Sequence, residues 1–237
     1  MKVLVVGASG ATGRLVVSQL LSRDIKVKAI VRSLDALDNH KNLEKVKASV
    51  HDLNIEEMAV YIKDCNSVVS CLGHNLTFRG IFGKPRLLVT NTLECICEAI
   101  KLNKAGNTVK VILMNTTGNS NRDIPEIPEL SQRIVISMLR AVLPPHVDNE
   151  NAADFLRTQI GKNNKFIEWV AVRPDALIDE KKVTHYNVYA SPLRNAIFDS
   201  GTTSRINVAN FMSELISNER TWSQWKGHMP VLYNHEK

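Results

Sequence analysis

Aromatic side chains are scarce in this chain of 237 residues, at 5%, and so are cysteines, of which there are four. Cys65, Cys71, Cys95 and Cys97 are too few to staple a fold of this length, so a disulfide scaffold is excluded and reduced thiols are expected. No apolar run approaches the roughly 18 residues that a membrane-spanning helix needs. The chain opens on a strand-like run, Lys2-Val3-Leu4-Val5-Val6, where a signal peptide would place a longer apolar stretch and a cleavage site. Secretion is therefore not expected, and the expected compartment is the cytoplasm. Basic residues exceed acidic ones, 30 to 24, for a net charge of +6 and a pI of about 9.2. They form no cluster of about five to eight Lys/Arg, and aromatics to stack on bases are few, so no nucleic-acid partner is expected. A solvated basic surface and a phosphorylated small molecule both suit the charge.

What is present is an ordinary globular balance, 44% hydrophobic and 23% charged, enough for a sizeable core. Val3–Val6, Val27–Val31, Val46–Ala48, Val68–Cys71, Val109–Met114 and Trp169–Val172 are rich in Val and Ile and nearly continuous in apolarity, the pattern of buried parallel strands. Between them Gly13, Val17, Leu20 and Leu21 share one helical face, and Leu88, Thr92, Cys95, Ala99 and Leu102 another. The alternation predicts a doubly wound parallel α/β sheet with helices on both faces. The second half is less regular, with Pro125, Pro128, Pro144 and Pro145 as punctuation. It reads as a helix over Leu130–Leu143 stopped by the Pro pair, a helix capped by Asp148 or Asn149 and stopped at Gly161, a helix capped by Asn207, and a last strand over Met229–Tyr233. Trp222 and Trp225 are expected to seal the C-terminal part against the sheet. No repeat or linker divides the chain.

The strongest local signal is Gly7-Ala8-Ser9-Gly10-Ala11-Thr12-Gly13, directly after a strand and opening a helix. The first glycine permits the tight turn, the second lets the backbone approach a pyrophosphate, and the third allows close helix–sheet packing. A phosphate then meets the free N–H groups and the dipole of the helix N-terminus. The run VVGASGATGRLVV resembles the opening of the atypical short-chain dehydrogenase/reductase proteins, which include the NmrA-like and the biliverdin/flavin reductase-like groups. The similarity continues through Ser70-Cys71-Leu72-Gly73, through Val172-Arg173-Pro174 with Leu177, and through Ser204–Met212.

This resemblance implies one Rossmann-type NAD(P)-binding domain over 1–237, with the part from about 174 onward forming a substrate-side lobe. It also implies that Ser9, Gly10, Ala11 and Thr12 surround the pyrophosphate, that Asp52 and Leu53 flank the adenine, and that Cys71, Leu72 and Gly73 line the ribose and nicotinamide side. By the same resemblance Asn115, Thr116 and Thr117 face the nicotinamide and Pro174 packs near it. Cofactor choice is read from spacing. An NAD site places a carboxylate at the end of the second strand, about 20 residues beyond the glycines. Here Arg32 and Ser33 hold that place, 19 and 20 residues after Gly13. An arginine there can clamp a 2′-phosphate, so NADPH is expected over NADH.

Typical members of the superfamily carry a Tyr-x-x-x-Lys pair on the helix after the fifth strand; Val147–Asn151 offers neither residue. The chain's own Tyr233…Lys237 spacing falls at the extreme C-terminus and reads as a coincidence. Candidate proton donors are Thr116, Thr117 and His74, with His146 after the Pro pair a further one. Cys71 and His74 make one C-x-x-H without a second pair, and Cys95 and Cys97 diverge on a helix, so no metal site is expected. Three functions follow as expectations. The first is a NADP(H)-dependent oxidoreductase passing hydride to a small conjugated acceptor such as a flavin or quinone. The second is a non-catalytic NADP(H)-binding sensor that signals through a protein partner. The third is a sugar-nucleotide epimerase or dehydratase, the reading that suffers most without Tyr and Lys.

Overall fold

A computed structural model of the chain describes residues 1–74, 77, 81–103, 106–127 and 129–235; Pro128 and Lys237 lie outside them. In order, the elements are β1 (Lys2–Val6), α1 (Ala11–Ser22), β2 (Lys26–Val31), β3 (Leu43–Lys47), α2 (Ile55–Ile62), β4 (Ser67–Ser70), α3 (Leu88–Asn103), β5 (Val109–Met114) and α4 (Leu130–Val142). Then follow α5 (Pro144–Asp154, running into a π turn over Phe155–Ile160), β6 (Ile167–Pro174), β7 (Ala176–Ile178), β8 (Tyr186–Tyr189), β9 (Thr202–Ser204), α6 (Arg205–Ser217), α7 (Glu219–Trp225) and β10 (Val231–Asn234). Eight strands form one sheet in the order β3-β2-β1-β4-β5-β6-β10-β8, and β7 pairs with β9 apart from it. Every neighbour in the large sheet is parallel except β8, which runs against β10.

The expected doubly wound sheet is therefore present, and its strand order reverses between β1 and β4, where such sheets open a crevice at their carboxyl ends. Period-two alternation builds the two cores. Leu4 and Val6 point to a layer of α2, α3 and α5, while Val3 and Val5 point to one of α1, α6 and α7. Trp222 and Trp225 belong to the second layer, buried against α6 and the sheet. Among the described residues no helix is long and apolar enough to cross a membrane.

Two expected caps are corrected. The helix assigned to Asp148 or Asn149 begins at Pro144 instead, with the Pro pair in its first turn. Proline has no N–H to lose there, so the pair that ends α4 also opens α5. Ser204, not Asn207, caps α6: its side chain accepts from the Asn207 amide. The Asn207 side chain is spent elsewhere, on Thr184 and Asn234. The stop at Gly161 is present, with φ of 68° and its amide bonded to Leu156 O.

Arg173, in the Arg-Pro step at the end of β6, is fully buried. Its guanidinium takes both oxygens of Glu126 at 2.6 and 2.8 Å and donates to the carbonyls of Asn119, Ala190 and Met229. One side chain thus ties β6 to the segments after β5, after β8 and before β10. Glu126→Ala would strand this charge in the interior, and a loss of about 3–5 kcal/mol is expected. Denaturant unfolding checks it; a loss below about 1 kcal/mol would show that the pair is not what holds these segments.

Candidate cofactor and active site

The turn after β1 is as tight as its glycines allow. Gly7 has φ of +71°, and a Cβ there would stand 2.6 Å from the Cys71 carbonyl group. A Cβ on Gly13 would stand 2.1 Å from Gly7 O, so α1 packs directly onto the loop. α1 starts at Gly10 with no side-chain cap and no acid in its first turn. Its leading N–H groups are left for an outside acceptor, the arrangement that favours an anion.

A cavity of about 460 Å³ opens beside this loop, at the carboxyl ends of β1, β2 and β4. Gly7, Ser9 and Gly10 form one wall, Cys71, Leu72, Gly73 and His74 another, and Ile30, Val31 and Arg32 a third. Ala48–His51, Lys84, Pro85 and Leu88 complete it. Among the described lining residues there are Arg32, Lys84, His51 and His74 but no carboxylate. Both the shape of the loop and the sign of the lining fit a dinucleotide: a backbone cradle for a pyrophosphate and cations for further phosphate.

The other expected contacts are spread more widely. Ala11 is exposed at the start of α1, while Thr12 and Gly13 are buried in its first turn. Ser33 is exposed just past Arg32 and outside the cavity wall. Leu53 lines a smaller adjoining hollow of about 130 Å³ with Val50, Leu87 and Cys95. Asp52 lies on the surface, its carboxylate 3.1 Å from His51 Nε2. Desolvation pushes the Cys71 thiol up to about 12, which leaves it a packing group and not a nucleophile. No cluster of three or more metal-ligating side chains occurs among the described residues.

Asn115, Thr116, Thr117 and Pro174 sit together at the ends of β5 and β6, outside the wall of that cavity. The Asn115 amide bonds Val172 O and the Thr117 amide bonds Pro174 O, so the two strands stay paired beyond their regular ends. The Thr117 hydroxyl is buried and donates to Asp175 Oδ1 at 3.1 Å. Thr116 is half-buried and its Oγ1 accepts from the Gly118 amide at 3.2 Å.

His74 has a partner that its position in the sequence did not announce. Asp148, on α5 and fully buried, accepts from His74 Nε2 at 2.7 Å, from the Val89 and Thr90 amides at 2.8 and 2.9 Å, and from Thr90 Oγ1 at 2.7 Å. With three other donors on the carboxylate, Nε2 must carry the proton that it shares. Val89 and Thr90 open α3, so Asp148 caps a helix other than its own and fixes the imidazole at the cavity wall. The arrangement can hold a proton on an oriented histidine beside the β4 edge.

Known proteins agree with this architecture. Over 111 residues the chain is 36% identical to UPF0659 protein YMR090W of Saccharomyces cerevisiae; the match takes in 45% of this chain and 47% of that protein, so it spans about half the length of the relative. The oxidoreductase ylbE of Lactococcus lactis superposes with a TM-score of 0.70 at 18% identity, over 100% of this chain and 92% of that one. A short-chain dehydrogenase/reductase of Veillonella parvula, solved in complex with NADP, gives 0.70 at 13% identity, over 98% and 94%. At such identities the likeness is one of fold alone. The family model described as NAD(P)H-binding matches residues 7–219. Because that match runs from the first glycine of the loop to the first residue of α7, the chain belongs to the NAD(P)H-binding family.

Proposed function

We propose that the protein is a NADPH-dependent reductase of the atypical short-chain type, acting on a small conjugated acceptor such as a flavin or quinone. The observation that carries this reading is the cavity at the β1/β4 reversal, lined by a bare glycine loop and by cations without a carboxylate. The loop and the first turn of α1 hold the pyrophosphate. Arg32, exposed at the end of β2 and in no ion pair among the described residues, takes the 2′-phosphate. Leu72 and Gly73 carry the wall onward, and His74, oriented by Asp148, closes it. When bound, the cofactor supplies the hydride; the protein binds, orients and shields.

A second reading, a sensor that binds NADP(H) without turnover, is favoured by one observation: Asn115, Thr116 and Thr117 lie outside the cavity wall. One measurement separates the two. Purified protein is mixed with NADPH and a panel of flavins, quinones and aldehydes, and the nicotinamide absorbance is followed. Turnover with any acceptor supports the reductase, whereas tight NADPH binding with none across the panel supports the sensor.

Charge-assisted bonds worth about 1.5–3 kcal/mol set the preference for NADPH at about 10- to 100-fold over NADH. Arg32→Ala is expected to remove most of that preference and to leave NADH binding little changed. Added salt is expected to shrink it, because the site is exposed. Calorimetry with both cofactors tests this, and equal wild-type affinities would sink the assignment. The two threonines are expected to separate. Thr116→Ala lowers the turnover rate by about 10- to 100-fold at nearly unchanged NADPH affinity, the loss of one bond to developing charge. Thr117→Ala deprives the buried Asp175 of a donor and costs about 1–3 kcal/mol of stability instead. Steady-state rates and melting curves of both variants decide it.

A further inference from the structure

α4 has more apolar surface than its own fold uses. Gln132 and Ile136 are buried on its inner side. On the opposite side Leu130, Ile134, Met138 and Val142 follow one another at intervals of four, which puts them in one row, and each is more than half exposed. A second row, Arg133, Ser137 and Ala141, runs beside the first and is exposed as well. Ser137 and Ala141 are small, so the two rows leave a groove of about 510 Å³ lined by α4 alone. A ridge of large side chains next to a row of small ones is the relief by which helices pack on helices.

The apolar surface extends past the head of the helix. Ile127, three residues before Leu130, is the most exposed large apolar side chain among the described residues. Asn195 donates to Glu129 Oε2 at 3.1 Å, and its own Oδ1 accepts from the Ile197 and Phe198 amides at 3.0 and 3.1 Å. The turn that carries Phe198 is thereby fastened to the start of α4, and Phe198 and Leu193 are also more than half exposed. Together these side chains show on the order of 800 Å² to solvent, about what each partner buries in a stable interface and more than the roughly 300–600 Å² of the largest patch on a monomer.

Three kinds of occupant suit an apolar surface, and two fit this one poorly. A small molecule needs a site that encloses most of it, whereas this groove has one helix for its only wall. An anionic membrane is recognised by about 4–8 basic side chains beside the apolar face. α4 carries two arginines, and Arg140 is already held by both carboxylate oxygens of Glu150 at 2.8 Å. A second copy of the chain fits, because it brings the same ridge and the same groove. With the two helices antiparallel about a two-fold axis, Ile134 of one copy meets Met138 of the other and Leu130 meets Val142, and the contact is satisfied on both sides at once.

We propose that the protein is a two-fold dimer whose interface is the outer face of α4, extended by Ile127, Leu193 and Phe198. No residue of α4 lines the cofactor cavity, so each copy keeps its own, and the proposal stands apart from the reductase reading.

The test is sedimentation of the full chain across about 1–50 μM, where an interface of this size is expected to hold a dimer. Met138→Glu and Ile134→Lys each put a charge into the ridge at a position exposed in the single copy. Each is expected to weaken association by about 100-fold or more and to leave the circular dichroism spectrum unchanged. Mixing the two variants is expected to restore a dimer, because the antiparallel pairing sets Lys against Glu. A wild-type chain that is monomeric throughout overturns the proposal, as does a dimer that survives both substitutions. No recovery in the mixture overturns the antiparallel pairing. A monomer that floats with vesicles of phosphatidylserine and phosphatidylcholine, and ceases to in Met138→Glu, overturns the dimer and gives the face to a membrane.

Discussion

A buried carboxylate cannot be left to itself, and the candidate site is organised around that fact at Asp148. Taken out of water, the group must collect donors, and it collects four: His74 Nε2, two amides of the first turn of α3, and the Thr90 hydroxyl. Each bond to a charged acceptor is worth about 1.5–3 kcal/mol, and each donor left without it would carry its own penalty. Three stretches far apart in sequence are thereby held together: the segment after β4, the start of α3 and the middle of α5. The edge of the cavity that follows Gly73 has its shape because this carboxylate does.

The parts of the fold that were legible in the sequence are those whose signal is local. Six apolar runs gave six strands, and the glycine loop declared its turn, its helix and the reversal point beside them. Boundaries moved where tertiary pairing extends a strand past its apolar core, as in β6, which runs on to Pro174. β7, β8 and β9 are three or four residues long, too short for a strand period to stand out in the sequence. The short helix α2 has a local start signal in the capping box of Asn54 and Glu57, but its eight residues give only two turns of pattern. Asn207 and Ser204 are both good caps, three residues apart, and only the partners waiting for Asn207 decide between them.

The site divides in the same way. Arg32 could be placed on the cavity wall because a strand end at a fixed distance from the glycines is a position, not a contact. Thr116 and Thr117 could be placed at the β5 edge but not told apart. Consecutive side chains near a strand end point to opposite sides, and which side meets Asp175 depends on how β6 and β9 are arranged. A helix cap at Asp148, the expectation from its sequence position, is right in chemistry and wrong in address: its partners lie 58 to 74 residues away. Nothing local could have named them.

α5 shows how much one helix phase can decide. Residues two apart on a helix diverge, and residues four apart coincide. Asp148 therefore reaches the β4 side and α3, while His146 and Glu150 look toward Gly118 and Arg140. The phase is set where the chain cannot turn freely, at Pro144 and Pro145. A start displaced by one residue would rotate every later side chain by about 100°. That single rotation would take Asp148 off the α3 amides, His146 off Gly118 and Glu150 off Arg140 together. The two histidines beside the carboxyl edge of the sheet, one from the β4 loop and one from α5, thus depend on the same pair of prolines that ends α4.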